Sequence, residues 1–480
     1  MLLSELLLGA DGVLINGDAD IKSLSCESGK IEVQGLFFCI RGGRFDGHDY
    51  AHEAIRNGAA ALVCERRLPI DAPQAIVADS RRAMSVVAGN FYGNPVRGMK
   101  LIAVTGTNGK TSTTYIVKHI AAAAGVKTAV IGTHAVMIGD TTHPASLTTP
   151  DPIELHGWFA RMRDENVQWV VMEASAHAIA LKKLDGIVAD IAVFTNLSRD
   201  HLDFFGTMER YKAAKASYFC KEYARMAVVN ADDDAGVEIL NAADIPCFTY
   251  GADPACDVSA QKYRANTRGQ KYTMRLFDES REVVFALPGR HNMYNTLCAA
   301  SAAKLLGADT DAIVRGIAAV REIPGRFNMI NAGRYGSVVI DYAHTPDGLE
   351  NILKTVREFC KGRLVTVFGC GGDRDRSKRP QMGKIAGGLS DLVFVTSDNP
   401  RTEDPEAIID GAVEGLRLSG CAYERIIDRA GAIERALRSG RKGDIIVIAG
   451  KGSEPYMDVK GIKRPYSDKE TVLELLKLLK

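Results

Sequence analysis

One stretch of the chain restricts its fold more than any other. The apolar run Leu101-Ile102-Ala103-Val104 ends in Thr105-Gly106-Thr107-Asn108-Gly109-Lys110-Thr111, and a helical pattern then continues to about Ala124, where Gly125 stops it. A strand, a glycine loop and a helix in that order offer backbone N–H groups, a helix N-terminus and a lysine ammonium to one polyphosphate. Gly106, Thr107, Asn108, Gly109, Lys110, Thr111 and Ser112 are therefore candidate nucleotide contacts, with the Thr111 hydroxyl placed to ligate Mg²⁺. The general phosphate-loop pattern has four residues between its glycines. This loop has two, so it is a variant, and the loop alone does not say which enzyme carries it.

Further short apolar runs follow at Trp169–Met172, Ile191–Phe194 and Ala227–Val229, separated by helical or polar stretches, which predicts a mostly parallel sheet with covering helices. Glu173 then stands at a strand end, where a parallel sheet delivers side chains to a ligand. The polar segment Thr195–Asp203 follows another strand and contains His201, a candidate metal ligand.

The chain has 480 residues, enough for roughly three domains. Ahead of the phosphate loop, Gly35–Ile40 and Ala60–Cys64 read as strands and Tyr50–Asn57 as a helix, until Asn94-Pro95 breaks the pattern. Beyond Ile323-Pro324-Gly325 the alternation resumes, with strands at Leu364–Phe368, Leu392–Thr396 and Asp444–Ala449 and helices near Arg379–Leu389 and Pro405–Leu416. The expected division is 1–98, 99–330 and 331–480, all of α/β class. The run Phe368-Gly369-Cys370-Gly371-Gly372-Asp373-Arg374 lacks the third glycine of a dinucleotide fingerprint, so a second Rossmann cofactor is not expected.

Composition narrows the function. Sixty Lys and Arg against 59 Asp and Glu give a net charge of +1, without the basic excess that nucleic-acid binding draws on. No apolar stretch reaches the ~18 residues that span a bilayer, so neither membrane insertion nor secretion is signalled. Ten scattered cysteines without a C-x-x-C pair read as reduced thiols of a cytoplasmic protein.

The motifs, taken in order, resemble one family. They are Thr105–Thr111, Thr148-Thr149-Pro150-Asp151, Asn196–Asp203, Tyr211–Lys215, Gly289–Asn295, Pro324-Gly325-Arg326-Phe327, Asp341–Pro346 and Asp398-Asn399-Pro400-Arg401. Together they are similar to the Mur ligases, ATP-dependent amino-acid-adding enzymes of peptidoglycan synthesis. The resemblance covers nearly the whole chain. It implies a UDP-substrate-binding N-terminal domain, a central phosphate-loop ATPase domain of mostly parallel sheet, and a Rossmann-like C-terminal domain that brings the amino acid. It also implies ATP and Mg²⁺, UDP-N-acetylmuramoyl-L-alanyl-D-glutamate and meso-2,6-diaminopimelate as substrates, and a monomer.

Residue by residue, the resemblance makes Lys110, Glu173, His201 and Lys215 catalytic. Thr111, Glu173, His201 and a carbamylated Lys215 would be metal ligands. Asn292, Asn295, Arg326 and Asp341 join the phosphate loop at ATP. Ser28, Gly43, Arg44 and Phe45 match uridine-side positions, and Thr148, Thr149, Ser175 and Lys183 the muramoyl-peptide side. Arg374, Asp398, Asn399, Pro400, Arg401, Gly450 and Glu454 match amino-acid contacts. The chain departs from the family pattern at Glu27-Ser28-Gly29, where Asp-Ser-Arg is frequent. Leu181 stands for a glutamine, Lys183 for an arginine and Ser453 for a histidine. Lys183 cannot make an arginine's bidentate fork. Three alternatives remain: a lysine-adding homologue, a folylpolyglutamate-synthase-like ligase and a nucleotide-binding scaffold without catalysis. Asp398-Asn399-Pro400-Arg401 argues against the first two, and retention of Lys110, Glu173 and Lys215 against the third.

Overall fold

The computed structural model describes residues 1–43 and 45–479. Its strands fall into three main sheets that follow one another along the chain. The first has the order Val13–Ile15, Gln74–Ile76, Ala59–Cys64, Gly35–Phe38, Ser23–Ser25, parallel except at Val13–Ile15. Both faces of its inner strands are buried, which accounts for the unbroken apolar runs Gly35–Phe38 and Ala59–Cys64.

The central sheet has 11 strands. Its parallel middle runs Cys247–Gly251, Ala224–Asn230, Ala189–Phe194, Lys100–Thr105, Trp169–Glu173, Thr128–Ile131. Successive side chains of Lys100–Thr105 point to opposite faces: Ile102 and Val104 enter one core, Leu101 and Ala103 the other. The register sets Glu173 beside Val104 and Phe194 beside Thr105, so three strand ends meet at the phosphate loop. Helix Lys110–Ala123 leaves that loop and buries Ile116, Val117 and Ile120. A second helix, Thr310–Ala319, crosses it closely. A Cβ on Gly316 would lie 2.3 Å from the Ile120 Cα, so only glycine fits.

The sheet extends beyond the expectation at both edges. Val258–Asn266, Gly269–Leu276 and Glu279–Phe285 add an antiparallel meander to one side, and Ala135–Ile138 and Thr141–Pro144 a second to the other. The meander's inner face buries Tyr272, Met274, Val283 and Phe285, a period-two pattern that the polar residues between them dilute.

The third sheet runs Asn328–Asn331, Ser337–Asp341, Ile445–Ala449, Leu364–Phe368, Leu392–Val395, Ala422–Arg425, antiparallel only at its first strand. It therefore begins at Asn328, and its edge strand straddles the expected start at 331. Arg429 and Asp468, both fully buried, lock two helices of this unit through paired bonds of 2.8 Å, and Arg429 also donates to the Ala449 carbonyl. Removing one partner would leave a buried charge uncompensated, a defect that costs about 3–5 kcal/mol. Among the described residues no helix is long and apolar enough to cross a membrane, and all ten cysteines are free thiols.

Candidate active site

A cavity of about 850 Å³ opens at the carboxyl ends of the central parallel strands, the edge where open α/β sheets hold ligands. Thr107–Ser112 line it from the phosphate loop, Glu173 and Ser175 from one strand end, and Asp200, His201, Tyr211 and Lys215 from the segment after another. Arg326, Asp341, Tyr342, His344 and Arg374 close it from the C-terminal side.

The loop is fixed by its glycines. Gly106 has φ +144° and Gly109 φ +87°, and a Cβ on Gly109 would come within 2.4 Å of Asn295 Oδ1. Lys110 Nζ donates to the Gly106 and Thr107 carbonyls, both at 2.8 Å. The Lys215 ammonium, 1% exposed, donates to the same Gly106 carbonyl at 2.8 Å and lies 4.6 Å from the Tyr211 ring. Burial lowers the pKa of Lys110, against the pull of Glu173 and Asp200. Burial, and then the Lys110 charge, push Lys215 well below the ordinary lysine range.

Glu173, 1% exposed, accepts bonds from Thr111 Oγ1 (2.9 Å), the Thr133 amide (3.0 Å) and Thr133 Oγ1 (3.1 Å). Gly132 lets that carboxylate in, for a Cβ there would stand 2.4 Å from Oε1. His201, with φ +56°, lies 3.4 Å from Asp200, and burial depresses its pKa to about 3, so the ring is neutral near pH 7. Threonine and carboxylate oxygens beside a neutral imidazole form a donor set that fits Mg²⁺. Among the described residues no three His, Cys, Asp or Glu side chains converge as a metal cage, so a cation here would share its shell with ligand phosphates.

Thr148, Thr149, Ser175 and Lys183 also line the cavity. Thr149 Oγ1 donates to the Glu173 carbonyl at 2.7 Å, and Thr148 Oγ1 is 3.1 Å from Thr133 Oγ1. Lys183 pairs with Asp151 at 2.7 Å, and Leu181 adds an apolar wall. Ser28, Gly43 and Phe45 lie apart from this lining, on the first unit, where Phe45 is 68% exposed. Arg44 lies outside the described residues.

On the nucleotide side, Asn292 and Asn295 sit in the first turns of helix Arg290–Leu305, bonded to each other at 3.2 Å. The Arg326 guanidinium reaches Thr111 Oγ1 at 3.4 Å over the Tyr342 ring. Asp341 accepts the Phe327 and Ala343 amides, tying the interdomain linker to the third sheet, and burial raises its pKa.

The amino-acid candidates divide. Arg374 faces the cavity and lies 3.6 Å from Asp203. Asp398, Asn399, Pro400, Arg401, Gly450 and Glu454 are not among the residues that line the cavity; Asn399 Nδ2 instead donates to Glu454 at 2.8 Å. Arg401, φ +50°, donates to the Gly372 carbonyl at 2.5 Å, and its backbone pairs with Val459 of the hairpin Tyr456–Pro465. Gly450 admits the Asp398 carboxylate, which a Cβ would meet at 2.6 Å. Ser453 bonds His134 of the central unit at 2.9 Å, so an imidazole still reaches the loop.

Several participants carried no sequence signal of their own. Thr133 holds Glu173, Asp347 bonds Asn108 at 2.7 Å, and buried Lys378 lies 3.6 Å from Asp200, all through contacts remote in sequence. Gly132-Thr133 at the end of a buried strand next to that of Glu173 was the one available hint.

A phosphate loop, a buried carboxylate and a lysine pair in one cavity lined by the second and third α/β units fit a class, the carbon–nitrogen ligases that draw on a nucleoside triphosphate. The chain matches the Mur ligase family, catalytic domain over residues 20–92, the Mur ligase middle domain over 104–303, and the Mur ligase, glutamate ligase domain over 325–452. It is 42% identical over 466 residues to the UDP-N-acetylmuramoyl-L-alanyl-D-glutamate–2,6-diaminopimelate ligase of Syntrophomonas wolfei, covering 96% of this chain and 95% of that one. A solved structure of an enzyme of that name is 32% identical and superposes with a TM-score of 0.69, covering 96% of this chain and 95% of that one. The MurF ligase of Thermotoga maritima in complex with ADP, 20% identical, shares the fold with a TM-score of 0.63 over 95% of this chain and 97% of that one. The chain belongs to the Mur ligase family.

Proposed function

We propose that this enzyme adds meso-diaminopimelate to UDP-N-acetylmuramoyl-L-alanyl-D-glutamate, with ATP, in cytoplasmic peptidoglycan precursor synthesis, acting as a monomer. The observation that carries the reaction is the shared cavity, in which Lys110, Glu173, Lys215 and the rim of Thr148, Thr149 and Ser175 meet Arg374 from the opposite unit. Likeness to the diaminopimelate ligases over 96% of the chain supports the substrates. The working division gives residues 1–98 the uridine end, 99–330 ATP and 331–480 the amino acid.

A carboxylate is a poor electrophile until one of its oxygens becomes a phosphate leaving group. The γ-carboxylate of the D-glutamate attacks the γ-phosphorus of ATP, ADP departs, and the acyl phosphate is then opened by the amine of diaminopimelate. Lys110 and the loop amides hold the β- and γ-phosphates and follow the charge that builds as the phosphoryl group moves. Thr111 and Glu173 are the residues that would hold Mg²⁺, and the ion would offset the repulsion between phosphate and carboxylate. Lys215 is the candidate carbamate. Burial and the Lys110 charge, which push its pKa down, favour the neutral amine that takes up CO₂ with loss of a proton, and the resulting anion would lie in the cavity that His201 also lines. Arg326, Asp341, Asn292 and Asn295 bound the nucleotide side, and Ser28, Gly43, Arg44 and Phe45 the uridine.

Diaminopimelate differs from lysine by one carboxylate, so choosing it requires a group that grips an anion. Arg401 does so with a planar fork, helped by Asn399, while Glu454 and Asp398 take the adjoining ammonium. Supplied with the uridine nucleotide, ATP, Mg²⁺ and either amino acid, the enzyme should yield a product whose mass contains diaminopimelate. Arg401→Ala should lower kcat/KM for diaminopimelate by on the order of 10² and narrow its lead over lysine. Unchanged kinetics in the variant, or a parent that prefers lysine, contradicts the assignment.

A further inference from the structure

Lys451, between Gly450 and Glu454, has no exposed surface at all, yet its side chain ends in an ammonium. Its ammonium bonds Glu454 Oε2 at 2.5 Å and Asn399 Oδ1 at 3.0 Å, and lies 5.7 Å from the Tyr456 ring. The ring of contacts closes on itself, because Asn399 Nδ2 donates to the same Glu454 oxygen at 2.8 Å. Asn399 Oδ1 also accepts the Asp458 amide at 2.8 Å. With two donors at its oxygen and an acceptor at its nitrogen, the Asn399 amide has one orientation. Glu454, its side chain 17% exposed, is the open edge of the cluster, and its Oε1 is the oxygen that Lys451 and Asn399 leave over.

A charge withdrawn from water is costly even when paired, so an apolar residue here would serve stability as well or better. What an apolar residue would not do is set the charge of Glu454. With Lys451 beside it, the Lys451–Glu454 pair is neutral, and a ligand ammonium gains little from Glu454 unless the same ligand end also brings a carboxylate to Arg401. We propose that Lys451 is a positioning and specificity-determining residue, which orients Asn399 and Glu454 and withholds Glu454 from a lone ammonium. The amino-acid site thereby favours a zwitterionic terminus over a plain amine. This rests on the assignment of Arg401, Asn399 and Glu454 to the incoming amino acid.

Steady-state kinetics on the full-length enzyme test it, with diaminopimelate and lysine varied separately and ATP and the uridine nucleotide saturating. Lys451→Met should cut the ratio of kcat/KM for diaminopimelate to that for lysine by about tenfold or more. The change should fall in the amino-acid KM, with lysine no worse than in the parent and the KM for ATP unmoved. A merely structural lysine would instead lower both amino acids together, and that result would overturn the proposal. A second comparison holds even where the single variant fails to fold. In Glu454→Gln the Lys451 ammonium is left unbalanced and repels the ligand's ammonium, so adding Lys451→Met should restore part of the lost diaminopimelate activity. A double variant as weak as Glu454→Gln, or weaker, counts against the proposal. Should the parent use lysine rather than diaminopimelate, the substrate assignment fails. The Lys451–Glu454 coupling is then still read on the amino acid the parent does use.

Discussion

Lys110→Ala should lower kcat for ligation by about 10³-fold or more, because Lys110 is the phosphate loop's own cation, placed to follow the migrating phosphoryl group. The fold should survive: the side chain is half-buried and its bonds go to two carbonyls of its own loop. Nucleotide consumption and peptide formation, followed together, should fall in step, with the thermal midpoint unchanged. A variant that keeps the parent kcat at saturating ATP removes the phosphate loop from the chemistry.

Lys215→Ala should be nearly as damaging, by about 10²–10³-fold, but for a different reason. The residue is buried, its amine is pushed toward neutrality by burial and by Lys110, and its one acceptor is the Gly106 carbonyl. An ammonium so placed would repel the cation that Thr111 and Glu173 are suited to hold, whereas a carbamate would attract it. A short carboxylic acid added to Lys215→Ala should therefore restore part of the rate by supplying the missing anion. The same acid should do nothing for Lys110→Ala, where a cation was lost. Parent-like turnover in Lys215→Ala contradicts the carbamate role.

Local signals were the legible ones. The strand–loop–helix of Lys100–Ala123 stands where the apolar run and the glycines put it, as do Leu364–Phe368 and Pro405–Arg417 within a residue, because buried parallel strands read as continuous apolar runs. The meander at Val258–Phe285 was not legible, since its exposed face alternates with the buried one and no single run stands out. Within the site, Glu173 could be found from its strand end, but its dependence on Thr133 and Gly132 arises from a neighbouring strand 40 residues away. Lys215 carried no pattern of its own beyond family resemblance. Its burial comes from the packing of Met208–Ala216 against the loop, which a helix with no clear apolar stripe does not announce. Arg401 and Glu454 were likewise recognisable as residue types, but not their place outside the cavity lining nor the closed ring that Lys451 makes with Asn399 and Glu454.

The central claim is that this cavity activates a carboxylate by phosphorylating it. The most direct measurement follows oxygen. The γ-carboxylate of the D-glutamate is labelled with oxygen-18, the parent enzyme is run to completion with ATP and diaminopimelate, and the inorganic phosphate is analysed by mass spectrometry. An acyl phosphate transfers one carboxylate oxygen to phosphate for every peptide bond made, so each phosphate released should carry a single labelled atom. Peptide product accompanied by unlabelled phosphate would contradict the account.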